Sequence, residues 1–155
     1  MITTFNKLHT LKKIKTVYTA GSFDLFHYGH VDYLQQIKKN FPKYKLVVGL
    51  LPDNRIKAKK GLDRPIIKQK HRLIVMNSIK YVDHAFICPI YKNGQDATFI
   101  ILDKLRPRYV VFPQKKYLRI KKEFTKFGSQ IVIQKRRHKT STTEIIKRIR
   151  SKLVT

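Results

Sequence analysis

Short apolar or β-branched runs recur along this 155-residue chain at Lys15–Ala20, Lys45–Leu51, His84–Cys88, Tyr109–Phe112 and Gln130–Gln134. Each is too short for a helix and is flanked by charged or turn-forming residues, so each predicts a strand. Between them, apolar positions return at helical spacing over Gly29–Lys39, Lys70–Lys80, Ala97–Leu105 and Lys116–Phe127, and a last helix begins near Thr142. Boundary residues agree with this division. Asp96 can cap the helix that carries Phe99, Ile100 and Leu102, Arg106-Pro107 breaks the chain before the fourth strand, and Gly128 can end the fourth helix. Ser141-Thr142-Thr143-Glu144 has capping-box spacing ahead of an apolar face of Ile145, Ile146, Ile149 and Leu153. Strand then helix, repeated, predicts an α/β fold whose five strands pair in parallel with helices on both faces. Residues 1–13 show no clear period and read as a basic tail ahead of one domain over 14–155, although Leu8 and Leu11 can pack on that domain.

Composition narrows the setting. An apolar content of 42% over this length supports one proper core and leaves no room for two ordinary domains. The single cysteine, Cys88, excludes an internal disulfide and fits a reducing, cytoplasmic location. The N-terminal residues carry neither a signal-peptide apolar region nor a membrane span. The charge is extreme, with 35 Lys and Arg against 9 Asp and Glu for a formal +26. From Lys104 onward, 17 basic residues stand against Glu123 and Glu144 alone. Such a balance favours an anionic partner: nucleic acid, an anionic membrane surface or phosphorylated small molecules. It also fits solvated faces with no partner at all.

The densest chemistry lies in Gly21-Ser22-Phe23-Asp24-Leu25-Phe26-His27-Tyr28-Gly29-His30, where the first strand hands over to the first helix. Backbone N–H groups and the helix dipole favour anions at such a junction. Gly29 lets a phosphate approach the backbone, and imidazoles three apart share one helical face beside it. In an open parallel sheet, ligand binds at the carboxyl ends of the strands near the reversal of strand order. The segment Arg136–Thr143, after the fifth strand, emerges at that same end and can face the same ligand. Read alone, Ser141-Thr142-Thr143-Glu144 is a helix cap, Lys57–Lys60 a solvated loop and Arg72 an exposed helix charge. Asp24 either braces the turn or meets a metal indirectly, and bracing is the simpler role. A lone cysteine gives the histidine pair no zinc cluster to join.

The Gly21–His30 segment closely resembles the GxFDLxHxGH signature of the cytidylyltransferases that activate glycerol 3-phosphate, phosphocholine or phosphoethanolamine. Lys45-Leu46-Val47-Val48-Gly49-Leu50-Leu51-Pro52-Asp53 resembles that family's second strand and acidic turn. Arg72–Asp83 resembles its helix with an RYVD ending, and Arg136-Arg137-His138-Lys139-Thr140-Ser141-Thr142-Thr143 is similar to its RTxGISTT signature. The resemblance implies a single Rossmann-like domain and direct transfer of CMP from CTP to a small phosphorylated alcohol, with release of pyrophosphate. It implies His27, His30 and Lys59 or Lys60 as catalytic residues. It further implies nucleotide contacts from Gly21, Ser22, Phe23, Gly29, Arg136, Ser141, Thr142 and Thr143, and substrate-phosphate contacts from Lys57, Arg72 and Lys80. No protein metal site is implied; Mg²⁺ arrives with the triphosphate, and small members of the family commonly form homodimers.

Departures from the family pattern fall on the base side. Lys139 replaces the usual glycine, Arg137 a threonine and Thr140 an isoleucine, while Val111-Phe112-Pro113-Gln114-Lys115 lacks the glycine and acidic residues common after the fourth strand. Gln114 can accept one hydrogen bond in their place. Two alternatives therefore stand beside CTP transfer: an adenylyltransferase acting on FMN or a pantetheine phosphate, and a non-catalytic basic relative that binds nucleic acid or an anionic surface.

Overall fold

The computed structural model describes residues 2–90, 97–138 and 140–153. The expected cap Asp96 and the departure at Lys139 lie outside those residues. Five strands form one sheet: β1 Thr16–Gly21, β2 Lys45–Leu50, β3 His84–Ile87, β4 Tyr109–Phe112 and β5 Gln130–Ile133. Their order is β3-β2-β1-β4-β5, and every pairing is parallel. Along β1 the register runs from Thr16 opposite Lys45 to Gly21 opposite Leu50, with Val17 opposite Tyr109 on the other side. The chain builds outward from β1 through β2 to β3, then returns to β1's other edge with β4. The order therefore reverses between β1 and β4, which opens a crevice at the carboxyl end of β1.

Period-2 alternation divides the core between two faces. Val17, Leu46, Val48 and Val111 face one cluster with Tyr33, Leu34 and Ile37 of helix α1 (Tyr28–Asn40) and Met76 of α3 (Gln69–Asn77). Tyr18, Val47, Val110 and Phe112 face the other, with Ile101, Leu102 and Leu105 of α4 (Thr98–Leu105) and Phe124 of α5 (Lys121–Thr125). Helices on both faces are thus observed. The expected helix over Lys116–Phe127 is split into a 3-10 turn at Lys115–Ile120 and the short α5, which ends before Gly128 at φ +73°.

Two expectations change. Lys57–Lys60, read as a loop, belong to helix α2 (Asp53–Lys60), with Ile56 buried beneath it. A single buried apolar position among charged ones leaves no amphipathic period in the sequence, so the helix is silent there. The expected basic tail instead packs on the domain: Phe5–Leu11 is a 3-10 helix whose Leu8 and Leu11 are buried in the α4 core cluster. Ahead of it, Thr3 N–H donates to the Ala85 carbonyl at 3.0 Å.

Leu8 is fully buried, so Leu8→Ala is expected to lower stability by about 2–5 kcal/mol through lost burial and an unfilled cavity. Urea denaturation checks this, and a loss below about 0.5 kcal/mol, as at a surface position, would return the segment to the status of a tail.

Candidate active site

Helix α1 begins where the crevice opens, and its first turn is built by the two histidines. His27 occupies the N-cap in extended conformation, and its Nδ1 accepts the Gly29 N–H at 3.1 Å. His30 returns the bond: its Nδ1 accepts the His27 N–H at 3.4 Å. Imidazoles here do the work of the usual serine and glutamate of a capping box. Because both Nδ1 atoms accept, both rings carry their proton on Nε2. The rings stack with centroids 3.8 Å apart, and His27 Nε2 is buried with no partner among the described residues. Gly29 leaves that arrangement room. A Cβ there would lie 3.1 Å from the His27 ring and 3.3 Å from the Thr140 carbonyl oxygen.

Electrostatics keep both rings neutral. Burial pushes His30 down to about 3, helped by repulsion from the neighbouring His27 were both rings to protonate and by the positive charges of Arg136 and Lys60, and opposed by Asp24. Burial and then Arg136 lower His27 in the same direction. Each imidazole is therefore a neutral Nε2–H donor. Phe23 and Phe26 wall His30, with centroids 5.2 and 5.4 Å away. Phe23 and Leu25 hold φ of +46° and +44°, a left-handed conformation unusual for such residues, over-determined here by the bonds around Asp24.

Asp24 is fully buried and braces the site. Its carboxylate accepts from Arg64 Nε at 2.8 Å, from the Ile66 and Ile67 amides at 3.0 and 2.9 Å and from Leu25 N–H at 3.1 Å. Burial alone would raise the acid; the hydrogen bonds from Ile67, Ile66 and Arg64 outweigh it and hold Asp24 below the usual carboxylate range. Its backbone carbonyl accepts the Thr142 hydroxyl at 2.6 Å, which ties helix α6 (Thr142–Leu153) to the turn.

The other expected residues separate into those brought together and those held elsewhere. Lys60, the last residue of α2, points its Nζ to within 3.4 Å of Ser22 Oγ, and burial followed by the Arg64 charge lowers its basicity. All three lysines are exposed on α2, and of them Lys60 reaches the turn. Arg136 is near enough to depress both histidines. Ser141 Oγ accepts the Glu144 N–H at 3.2 Å, leaving its own O–H to donate, and Thr143 is exposed at the start of α6. Gly21 gives its carbonyl to Leu51 N–H and makes room for the Phe23 ring, which a Cβ would meet at 2.9 Å.

Three expected roles are corrected. Arg72 is buried, and its guanidinium is consumed by the protein: Nη1 donates to the Ser22 carbonyl, Nη2 to the Leu51 carbonyl and Asp53 Oδ1, both at 2.8 Å, and Nε to the Ile67 carbonyl at 2.9 Å. It is a strut between the ends of β1 and β2, with four of its five N–H donors engaged by the protein itself. Lys80 precedes β3, at the amino edge of the parallel sheet and therefore opposite the crevice, with its ammonium over the Tyr81 ring. The Thr142 hydroxyl is spent on Asp24, so it cannot also donate to a phosphate.

A cavity of about 230 Å³ lies at the carboxyl ends of β1, β2 and β3, lined by Tyr18, Ala20, Cys88, Ile90, Ala97 and Ile101, with Arg55 of α2 as its one cation among the described residues. The sequence reading did not find it. Gly49, inside β2, was the available signal, because a strand glycine marks a close approach. A Cβ there would lie 2.5 Å from the Tyr18 hydroxyl and 2.7 Å from Cys88 Sγ, the two residues at the cavity wall.

Residues 18–148 match the model of the family described as cytidylyltransferase-like. The chain belongs to that family of nucleotidyltransferases. It is 32% identical over 143 residues to the bifunctional protein HldE of Helicobacter pylori, covering 92% of this chain but 29% of that one. It is 32% identical over 147 residues to an FAD synthase of Methanothermobacter marburgensis, covering 89% and 87%. An ethanolamine-phosphate cytidylyltransferase of Mus musculus is 37% identical over 71 residues, 46% of this chain and 18% of that one. The chain thus spans less than a third of the HldE relative's length. Among solved structures, a lipopolysaccharide core biosynthesis protein of Thermoplasma volcanium superposes with a TM-score of 0.59 at 26% identity, over 77% of this chain and 93% of that one. A pantoate-beta-alanine ligase of Francisella tularensis, at TM-score 0.64 and 14% identity over 100% of this chain and 79% of that one, shares the fold.

The neutral histidine pair gives a pH signature. Unfolded histidine titrates near 6.5 and folded His30 near 3, so between those values the unfolded chain binds more protons and stability is lost as pH falls. Asp24 adds a further loss below its ordinary value of 3.8. Urea midpoints are expected to fall between pH 7 and 4, with a shallower fall in His30→Asn, which keeps an acceptor for the His27 amide. An equal slope in the variant would mean that His30 is not the titrating group.

Proposed function

We propose that the protein is a nucleotidyltransferase of the EC 2.7.7 type that transfers CMP from CTP to a small phosphorylated alcohol, of the glycerol 3-phosphate or phosphocholine and phosphoethanolamine type, releasing pyrophosphate. The observation that carries this reading is the pair of neutral Nε2–H donors at the start of α1, flanked by Lys60, Arg136 and the amino end of α6. A phosphate oxygen of the acceptor attacks the α-phosphorus, the bond to the β-phosphate oxygen breaks, and pyrophosphate leaves with that oxygen. His27 and His30 donate to oxygens of the triphosphate and the five-coordinate transition state. Lys60 and Arg136 neutralise charge passing to the leaving group, and the α6 amides with Ser141 and Thr143 cradle the outer phosphates. Mg²⁺, carried on the triphosphate oxygens, supplies further charge neutralisation. The Asp24 carboxylate is fully engaged by Arg64 and backbone amides, so the described residues fit a metal brought by nucleotide better than one held by that acid.

A second reading draws on a specific observation. The cavity at the carboxyl ends of β1, β2 and β3 is walled mainly by apolar side chains, which suits an acceptor with a flat, apolar body such as FMN better than glycerol 3-phosphate. The FAD synthase relative, matched over most of both chains, supports the same adenylyl alternative. A nucleic-acid or anionic-surface role would rest on the +26 charge alone. The single buried Cys88 suits a reducing cytoplasm, and no helix among the described residues is long and apolar enough to cross a membrane. A homodimer is part of the proposal, checked by sedimentation at micromolar concentration.

Pyrophosphate release from CTP or ATP with Mg²⁺, screened against glycerol 3-phosphate, phosphocholine, phosphoethanolamine, phosphopantetheine and FMN, tests both readings. Turnover with CTP and a phospho-alcohol supports the first, turnover with ATP and FMN the second, and no turnover with any pair rejects both. Within the active pair, His27→Ala and His30→Ala are each expected to cut kcat by about 100-fold or more.

A further inference from the structure

The Asp24–Arg64 pair lies outside every contact assigned to a ligand, yet it joins the two segments that carry the site's donors. Arg64 is 8% exposed, and its Nε and Nη2 both lie 2.8 Å from one Asp24 carboxylate oxygen. Ile66 and Ile67 close their amides around the same group. Four residues earlier in the chain, Lys60 ends α2. Gly61, at φ +96°, turns the backbone, and Arg64 N–H returns to the Gly61 carbonyl at 3.2 Å. Lys60 and Arg64 are thus the two ends of one tight turn. Its inner end is locked to the β1–α1 connection, and its outer end hangs a flexible amine beside Ser22 and the histidines.

We propose that Arg64 is a positioning residue for Lys60: by gripping Asp24 it fixes the turn at residues 61–64 against the histidine turn and so holds the Lys60 amine at the triphosphate. The inference rests on reading the site as a triphosphate site. A buried ion pair is a weak source of net stability, because desolvation offsets much of the attraction. Its directional part is the hydrogen bond from Arg64 Nε, with Nη2 in ion-pair range of the same oxygen. A lysine side chain has much rotamer freedom to lose, and a backbone anchored four residues away limits how far its amine can stray.

A double-mutant cycle tests the coupling. Mg²⁺-tripolyphosphate, which needs no knowledge of base or acceptor, is titrated calorimetrically into the full chain, Lys60→Ala, Arg64→Lys and the double variant. Arg64→Lys keeps a cation and removes the guanidinium Nε–H that bonds Asp24. Lys60→Ala and Arg64→Lys are each expected to weaken binding by about tenfold, the double variant staying within about twofold of Lys60→Ala, because Arg64 acts through the amine already lost. Losses that multiply, or wild-type affinity in Arg64→Lys, would overturn the proposal while leaving the triphosphate reading intact. No binding by the wild-type chain would overturn both. Circular dichroism and a urea melt accompany each protein, and Arg64→Gln, which keeps one donor toward Asp24, runs in parallel. If both Arg64 variants unfold, the residue is a determinant of the fold and the positioning role is rejected.

Discussion

The site depends on one buried carboxylate. Asp24 stands in the turn that leaves β1, with its side chain gripped by Arg64 and by the amides of residues 66 and 67, and its carbonyl holding Thr142 at the start of α6. Three segments far apart in the chain therefore converge on one residue: the histidine turn, the connection after α2 and the late hydroxyl helix. An unpaired charge at that depth would be costly, so the partners must all be present together. This mutual requirement supports the left-handed backbone at Phe23 and Leu25, and with it the direction in which the α1 amino end faces.

Charge acts twice in this crevice. Lys60 and Arg136 make it attractive to a polyanion, and the same charges, added to burial, keep His27 and His30 unprotonated. The histidines consequently contribute oriented N–H groups instead of charge, and their capping hydrogen bonds decide which nitrogen faces outward. The division is economical: long flexible side chains supply charge, while short side chains locked into a helix cap supply direction.

Much of this was legible before any coordinate. Parallel β/α alternation followed from short apolar runs separated by amphipathic ones, because burial on both faces of a sheet leaves that imprint. The HxGH and Ser-Thr-Thr segments were recognisable because helix starts that bind phosphate draw on few residue types. Helix α2 was not visible, since one buried Ile56 among charges gives no period. The N-terminal 3-10 helix escaped for a similar reason: Leu8 and Leu11 are two apolar residues whose burial depends on where α4 lies.

By itself, the sequence determined the strand succession, most of the helices and the family, since these rest on local pattern. Tertiary structure alone decided where the several cations stand relative to the histidine turn. Arg72 is drawn inside to satisfy three carbonyls and Asp53, Lys80 is carried to the opposite edge of the sheet, and Lys60 is delivered to the histidines. In a chain with 35 Lys and Arg, residue type carries little information about role. What distinguishes one cation from the next is whether buried acceptors already claim its donors, and those acceptors come from segments that meet only in the folded chain.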